Sequence, residues 1–74
     1  MAVDLPAPMQ AEVAVMDIQG RRVRTIVRGL LPAGRTTATW DGRGESGEAV
    51  RSGVYFVRLA CQGNTRTARL VLLR

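Results

Sequence analysis

The sequence predicts an all-β fold, a small sandwich of facing antiparallel sheets, on three observations. Apolar residues recur at every second position in several short segments, which is typical of half-buried strands. Glycine-rich turns separate these segments at intervals of about ten residues, a common strand spacing in sandwiches. No segment shows the helical period of about 3.6 residues. We therefore expect about six or seven short strands in one domain that covers residues 1–74.

The strongest strand signal lies in residues 51–61, where a Ser-Gly turn leads into the longest β-prone run. Residues 54–57 are β-branched or aromatic, and such residues favour a pleated strand. Both faces of the run are apolar at its start, so we expect a strand in the middle of a sheet with partial cover on its second face. The predicted core face of this strand consists of Tyr55, Val57, Leu59 and Cys61.

Two shorter segments precede it near the amino-terminal end. Residues 2–5 form an apolar stub that ends at Pro6. Because proline cannot donate a hydrogen bond to a ladder, we expect this stub to be an edge strand or the remnant of one. Residues 11–16 alternate and predict a half-buried strand. The core-facing positions of that strand are Ala11, Val13 and Val15.

A hairpin arm is predicted at residues 22–28, after a turn in which Gly20 supplies a positive φ. Strict alternation places Ile26 on the arginine-bearing face of this arm, where an isoleucine is unfavourable. Two interpretations stay open: a bulge near Thr25 that turns Ile26 toward the core, or cover from a neighbouring element.

The remaining segments complete the predicted sandwich. We expect a loop at residues 29–34 and a strand at residues 35–40 that ends at Trp40, the single tryptophan. A tight turn at residues 62–65 leads to a closing strand at residues 67–74. The predicted core anchors are Val13, Val15, Trp40, Tyr55, Val57 and Leu59.

Composition argues against several classes of function. The chain lacks histidine, so a serine nucleophile would lack its usual base, and no pair of carboxylates marks a cleft. We therefore predict no enzymatic activity. The lone Cys61 cannot form an internal disulfide and is expected to be a small buried hydrophobe. No apolar run approaches the roughly 20 residues that a membrane-spanning helix needs.

Three carboxylates, those of Asp41, Glu45 and Glu48, lie in a glycine-rich connection that invites comparison with a calcium loop. Calcium loops place oxygen ligands at alternate positions. Arg43 occupies the second such position here, so we predict an ordinary turn, with no metal and no cofactor.

The other candidate site is the densest basic cluster of the chain. The chain has a net charge of +5, and all eleven of its basic residues are arginines. One interpretation is a solvated outer face of a sheet. The alternative is a docking face for an export receptor or an acidic partner, since guanidinium groups bind carboxylates bidentately. The predicted docking face consists of Gly20, Arg21, Arg22, Arg24 and Arg28.

A second candidate surface is an open strand edge. A sandwich with a short first strand exposes an unpaired edge, and such edges accept strands from other chains. The closing strand is apolar on both faces at its end, so we predict a homo-oligomer or filament formed by strand addition or swapping. The predicted assembly residues are Ala2, Val3, Leu5, Leu70, Val71, Leu72 and Leu73.

Five short motifs follow one another along the chain at close spacing. They are Asp17-x-x-Gly20-Arg21-x-Val23-Arg24-Thr25, Pro32-Ala-Gly34, Trp40-Asp41-Gly42, Ser52-Gly-Val-Tyr-Phe56-x-Arg58-Leu59 and Leu70-Val-Leu-Leu-Arg74. Over roughly residues 3–74 the chain thereby resembles the immunoglobulin-like domain at the C-terminal end of the flagellar hook-capping protein. It equally resembles the type A C-terminal sorting domain of cargo of the type IX secretion system.

This resemblance implies an immunoglobulin-like β-sandwich that forms the C-terminal module of a large extracellular protein. Members of both groups usually begin with an Asn-Pro segment and a full first strand, whereas only residues 2–5 stand there in this chain. We therefore expect a truncated first strand. The start of the chain also lacks the pattern of a signal peptide, which favours a module of a larger protein or a mature product.

The expected function is non-catalytic sorting for secretion, or attachment of a bacterial protein to the cell surface. The alternative is a structural subunit that self-assembles through open strand edges, as a cap or filament component. A third hypothesis is an arginine-rich polyanion binder, although three aromatic residues are few for nucleic-acid stacking. We accordingly expect protein partners, from the export or surface machinery or copies of the chain itself.

Overall fold

The computed structural model describes residues 2–73 and contains six strands and no helix in that range, hence none long and apolar enough to cross a membrane. The strands are β1 (Ala2–Leu5), β2 (Met9–Met16), β3 (Arg22–Leu31), β4 (Gly34–Thr37), β5 (Gly53–Cys61) and β6 (Asn64–Leu72). A two-stranded sheet pairs β1 with β4, and a four-stranded sheet has the order β3-β2-β5-β6. All pairs are antiparallel, and the predicted all-β sandwich is confirmed.

The core lies between the two sheets. Val13 and Val15 of β2 are fully buried at its centre, and Val3 and Leu5 of β1 cover them from the facing sheet. β5 is an inner strand between β2 and β6, as its apolar faces predict. The nine buried residues of this core are Val3, Leu5, Ala11, Val13, Val15, Leu31, Ala38, Tyr55 and Val57.

Strand β3 is longer than the predicted arm, and the predicted loop at residues 29–34 is wrong over its first half. Gly29 and Leu31 continue the ladder, opposite Ala11 and Met9 of β2. The chain stays paired here because Gly29 adopts a φ of 130°, in a region that only glycine enters readily. Leu31 thereby reaches the core.

A bulge in β3 decides between the two interpretations of Ile26. Val27 pairs with Val13 and Thr25 pairs with Ala14, so Ile26 is the extra residue between two consecutive pairs. The bulge turns its side chain back toward the interior, where Ile26 is half-buried against the core. The interpretation that needed a covering neighbour is therefore unnecessary.

The strand predicted at residues 35–40 is shorter than expected. β4 ends at Thr37, which pairs with Ala2 of β1. Ala38 is nevertheless buried, and Trp40 packs half-buried against the core from outside the strand.

The closing strand begins earlier and ends earlier than predicted. Gln62 and Gly63 form a two-residue turn with φ values of 47° and 80°, which is the left-handed geometry of a type I′ hairpin. Pairing therefore starts at once, with Asn64 opposite Cys61, and ends at Leu72. Leu73 lies beyond the strand, and Arg74 lies outside the described residues.

Candidate functional site

The predicted docking face lies on the hairpin of β2 and β3, whose turn is held by Asp17. One carboxylate oxygen of Asp17 accepts hydrogen bonds from the backbone N–H groups of Gln19 and Arg21, both at 2.9 Å. The other oxygen accepts one from Nε of Arg21 at 3.2 Å. These bonds, above all the backbone bond from Arg21, hold the pKa of Asp17 below its usual value. Gly20 completes the turn with a φ of 80°.

Glu12 on β2 binds two arginines of the same face at once. Nη2 of Arg22 lies 2.6 Å from one carboxylate oxygen, and Nε of Arg28 lies 2.9 Å from the other. Arg22 also donates a hydrogen bond of 2.9 Å to the hydroxyl of Thr25. The hydrogen bond from Arg22, and then that from Arg28, lowers the pKa of Glu12. Glu12 thus ties β2 to two separate positions on β3.

Arg24 points from β3 toward the glycine-rich connection. Its Nη1 lies 3.1 Å and 3.3 Å from the two carboxylate oxygens of Asp41. Asp41 also accepts a hydrogen bond of 3.0 Å from the backbone N–H of Arg43. One residue along β3, the backbone N–H of Thr25 donates to the carboxylate of Glu45. Two carboxylates of the connection therefore fasten it to β3.

The structure brings the predicted docking residues together and pairs all their charges. Arg21, Arg22, Arg24 and Arg28 each contact a carboxylate of the same chain. Exposed ion pairs of this kind add little stability individually. Their main effect is to leave this face with bound guanidinium groups instead of uncompensated positive charge. Docking through this face remains a prediction.

All the predicted assembly residues except Leu73 lie on the edges of two different sheets, because β1 belongs to the two-stranded sheet and β6 to the four-stranded one. Those that are buried or half-buried against the core are Val3, Leu5, Leu70 and Leu72. Those that are exposed are Ala2, Val71 and Leu73. The structure therefore does not unite the two segments into one edge, and assembly remains a prediction for each.

A groove of about 640 Å³ separates β1 from the hairpin of β5 and β6. Met9, Leu59 and Cys61 supply apolar lining, and Arg66 supplies a charge. Cys61 is half-buried against the core and not fully buried as predicted, because this groove leaves one side of it open. Its thiol contacts the thioether of Met9.

Of the six predicted core anchors, four are buried and two are half-buried. The buried anchors are Val13, Val15, Tyr55 and Val57, and the half-buried ones are Leu59 and Trp40. The rings of Trp40 and Tyr55 meet edge to face, with centroids 5.2 Å apart. The indole N–H of Trp40 donates a hydrogen bond of 2.8 Å to the carbonyl oxygen of Arg43, which satisfies its polar atom.

The carboxylate partners of the arginines on the predicted docking face are not evident from the sequence. Glu12 lies directly opposite Arg28 only because two register shifts move β3 along β2, and alternation within one strand does not reveal such shifts. No local pattern identifies Glu45 as the acceptor for Thr25, since a flexible connection carries it there. The three carboxylates of the predicted turn do not converge. Residues 2–73 contain no group of three or more metal-ligating side chains.

Two facing antiparallel sheets with open edges define an immunoglobulin-like module. A further feature of such modules is the hydrogen bond from the hydroxyl of Tyr55 to the backbone just upstream of β5. The model of the FlgD Ig-like domain family matches residues 1–64, and the chain belongs to that family. The predicted resemblance to the hook-capping protein is thereby confirmed, whereas the resemblance to sorting domains remains a prediction.

Among solved structures, a crystal structure of FlgD from P. aeruginosa is similar to this chain. The two share 28% sequence identity with a TM-score of 0.66. The match covers 96% of this chain and 56% of the FlgD chain, so the present chain spans little more than half of that relative. Among curated proteins no significant match was found.

Proposed function

We propose that this chain is a non-catalytic module that joins a larger bacterial protein to an extracellular protein assembly, as a cap or scaffold component. The observation that carries the proposal is the match of the FlgD Ig-like domain model to residues 1–64. The structure supports it in that the carboxylates of Glu12, Asp17 and Asp41 hold strands and turns together by ion pairs. These side chains serve the fold, and the sequence has no histidine to supply a general base.

The proposed location of the parent protein is outside the cytoplasm, secreted or at the cell surface. This follows from the resemblance to hook-capping and sorting domains, both of which stand at the end of exported proteins. In such a protein the module would act through protein contacts, which exposed strand edges and paired arginine faces can provide.

A domain exchange tests the scaffold role directly. The part of P. aeruginosa FlgD that matches this chain is replaced by residues 1–74, and the chimera is expressed in a strain that lacks FlgD. We expect partial recovery of hook assembly and of swimming. The matched control is a chimera that carries an immunoglobulin-like domain of similar size from outside the family. A chimera that is exported and stable, yet assembles no more hooks than this control, would contradict the scaffold role.

The secretion-sorting role is the second candidate, favoured by the motifs around Gly20 and Ser52 that it shares with the hook-capping group. Its test is a reporter protein with this chain at its C-terminal end, expressed in a bacterium that has a type IX system. Sorting predicts transfer of the reporter to the cell surface. It also predicts that Arg22→Ser with Arg24→Ser reduces transfer more than Arg35→Ser, which removes an ion-paired arginine elsewhere. A reporter retained in the periplasm would exclude this role.

A further inference from the structure

We propose that the outer edge of β6 binds an acidic, extended segment of a partner protein, which adds to the four-stranded sheet as a further strand. This inference rests on the proposed function only in treating the chain as a protein-binding module. It specifies which edge is used and what chemistry the partner has.

The outer edge of β6 is long and regular. β6 pairs with β5 over nine consecutive residues without a register shift. β3, at the opposite edge of the same sheet, has two register shifts against β2, and bulges of this kind protect an edge from pairing with other chains. β6 contains neither proline nor a bulge. A long and regular edge is therefore offered on one side of the sheet only.

The hairpin turn determines which backbone groups of β6 face outward. A type I′ turn closes on a hydrogen-bonded pair, here Cys61 with Asn64, and such pairs alternate with non-hydrogen-bonded ones along an antiparallel ladder. The residues of the non-hydrogen-bonded pairs direct their N–H and C=O groups away from β5. On β6 these residues are Thr65, Thr67, Arg69 and Val71. They supply alternate donors and acceptors that another strand can match.

Charge is distributed unevenly along the chain. Residues 1–48 carry six arginines and all six carboxylates, whereas residues 49–74 carry five arginines and no carboxylate. The whole net charge of +5 therefore lies in the C-terminal third. Arg58, Arg66 and Arg69 form no ion pair within residues 2–73, in contrast to the arginines of the β2–β3 hairpin.

The faces of β6 define the side-chain pattern of the partner. Arg69 and Val71 lie on the outer face, opposite Phe56 and Val54 of β5, and Val71 is 56% exposed. On this outer face, carboxylates of an added strand would form ion pairs with Arg69. The inward face carries half-buried Leu70 and Leu72, which apolar side chains of the partner would cover. The expected segment thus alternates acidic and apolar residues.

A second copy of the chain is a poor occupant for this edge. Self-pairing of β6 would bring Arg66 and Arg69 of both copies onto one sheet, without a carboxylate on either strand. β1 and β4 have four residues each, and the side chains of Val3 and Leu5 are already buried in their own core. Charge and length both favour a different protein.

Nucleic acid is a poor occupant for a different reason. The edge presents N–H donors and C=O acceptors in alternation, and phosphate oxygens can accept hydrogen bonds but cannot donate them. Phe56 is the one aromatic residue on the outer face of β5, so a row of stacked bases has no platform there. The backbone of a protein strand satisfies both kinds of group.

The test uses a capped nine-residue peptide of alternating valine and glutamate as the probe, and its valine and lysine counterpart. We expect the glutamate peptide to bind residues 1–74 about tenfold more tightly than the lysine peptide at low ionic strength. Amide exchange measured by NMR should slow at Thr65, Thr67, Arg69 and Val71 on binding, and not along β3.

Two variants separate strand addition from general attraction of charge. Thr67→Pro removes an outward N–H and leaves the bonds to β5 in place, and we expect binding to fall about tenfold. Arg58→Glu with Arg69→Glu, which changes the two arginines on the outer face of β5 and β6, should reverse the preference, so that the lysine peptide binds more tightly. The control for net charge is Arg21→Glu with Arg35→Glu, which changes two exposed arginines on other strands and turns by the same amount. It should preserve the preference for glutamate. Circular dichroism confirms the fold of each variant.

Three results would overturn the proposal. Equal loss of binding in the two double variants would mean that only net charge matters. In a second result, heparin or single-stranded DNA binds more tightly than the peptide and binds the Thr67→Pro variant equally well. That result would mean that the arginines bind polyanions and that no strand is added at β6. Protection from exchange at β1 or β3 would identify the wrong edge. The domain exchange in FlgD does not use this peptide, so either experiment can fail while the other succeeds.

Discussion

The hydroxyl of Tyr55 donates a hydrogen bond of 2.7 Å to the carbonyl oxygen of Arg51, four residues earlier in the chain. Tyr55 is buried at the start of β5, so this bond fixes the turn through which the chain enters the sandwich. Tyrosine corners of this kind are known from immunoglobulin-like sandwiches. The same ring meets Trp40 edge to face, so one residue links the entry to β5 with the packing of the single tryptophan.

Removal of this hydroxyl should destabilise the fold. We expect Tyr55→Phe to lower the free energy of unfolding by about 0.5–1.5 kcal/mol, the usual net value of one hydrogen bond, because the ring itself still packs. Urea denaturation followed by the fluorescence of Trp40 measures the change. Thr39→Val, which removes an exposed hydroxyl, is the control and should stay within about 0.5 kcal/mol of the original chain. Equal effects of the two variants would show that the bond to Arg51 contributes nothing.

The bulge at Ile26 makes a second prediction. Because the bulge turns Ile26 toward the core, we expect Ile26→Ala to lower the free energy of unfolding by about 1–3 kcal/mol, somewhat less than at a fully buried site. Ile18 is 73% exposed in the turn after β2 and provides a matched control. Ile18→Ala should change stability by less than about 0.5 kcal/mol. If Ile26→Ala were as mild as the control, Ile26 would face solvent and the bulge would be absent in solution.

Ile26 also shows how far the sequence predicts this fold. Alternation identified β2 and β5, because the positions of Val13, Val15 and Val57 follow from a period of two residues alone. The same rule placed Ile26 wrongly, since one extra residue in a ladder reverses the faces that follow. Alternation on one strand cannot reveal a bulge that is defined by the pairing of two.

The candidate sites were also predictable only where they depend on residues close together in sequence. The arginine cluster was predictable, because Arg22, Arg24 and Arg28 are close in sequence. Its neutralisation was not, because Glu12 and Asp41 approach from another strand and from a distant connection. Strand ends were likewise missed where pairing decides them, as in β3, which stays paired with β2 as far as Leu31.

The double ion pair of Glu12 predicts a dependence of stability on pH. Its pKa is lowered in the folded chain below the ordinary value of 4.5, by hydrogen bonds from Arg22 and Arg28. A lowered pKa contributes stability above that ordinary value, and the contribution is lost as the pH falls through the folded pKa. We therefore expect Glu12→Gln to lose less stability than the original chain between pH 7 and pH 3. Urea midpoints at the two pH values measure this difference.

Two further variants test this assignment. Glu48→Gln removes a carboxylate that forms no ion pair within the described part of the chain, and should keep the full dependence on pH. The pKa of Asp17 is also lowered, so Glu12→Gln with Asp17→Asn should show a weaker dependence than Glu12→Gln alone. If Glu12→Gln lost as much stability between pH 7 and pH 3 as the original chain, Glu12 would not contribute to the dependence of stability on pH.

The turn between β5 and β6 carries the last prediction. Gln62 has a φ of 47°, the one positive value of a residue other than glycine among residues 2–73. Asparagine enters this left-handed region at lower cost than glutamine, and Asn-Gly is the preferred pair for a type I′ turn. We expect Gln62→Asn to raise the free energy of unfolding by about 0.5 kcal/mol, within the range of such backbone effects. Gln19→Asn, in the turn after β2, has no such strain to relieve and serves as the control. Differential scanning calorimetry compares the two, and a lower Tm for Gln62→Asn than for Gln19→Asn would show that this turn does not hold the left-handed geometry in solution.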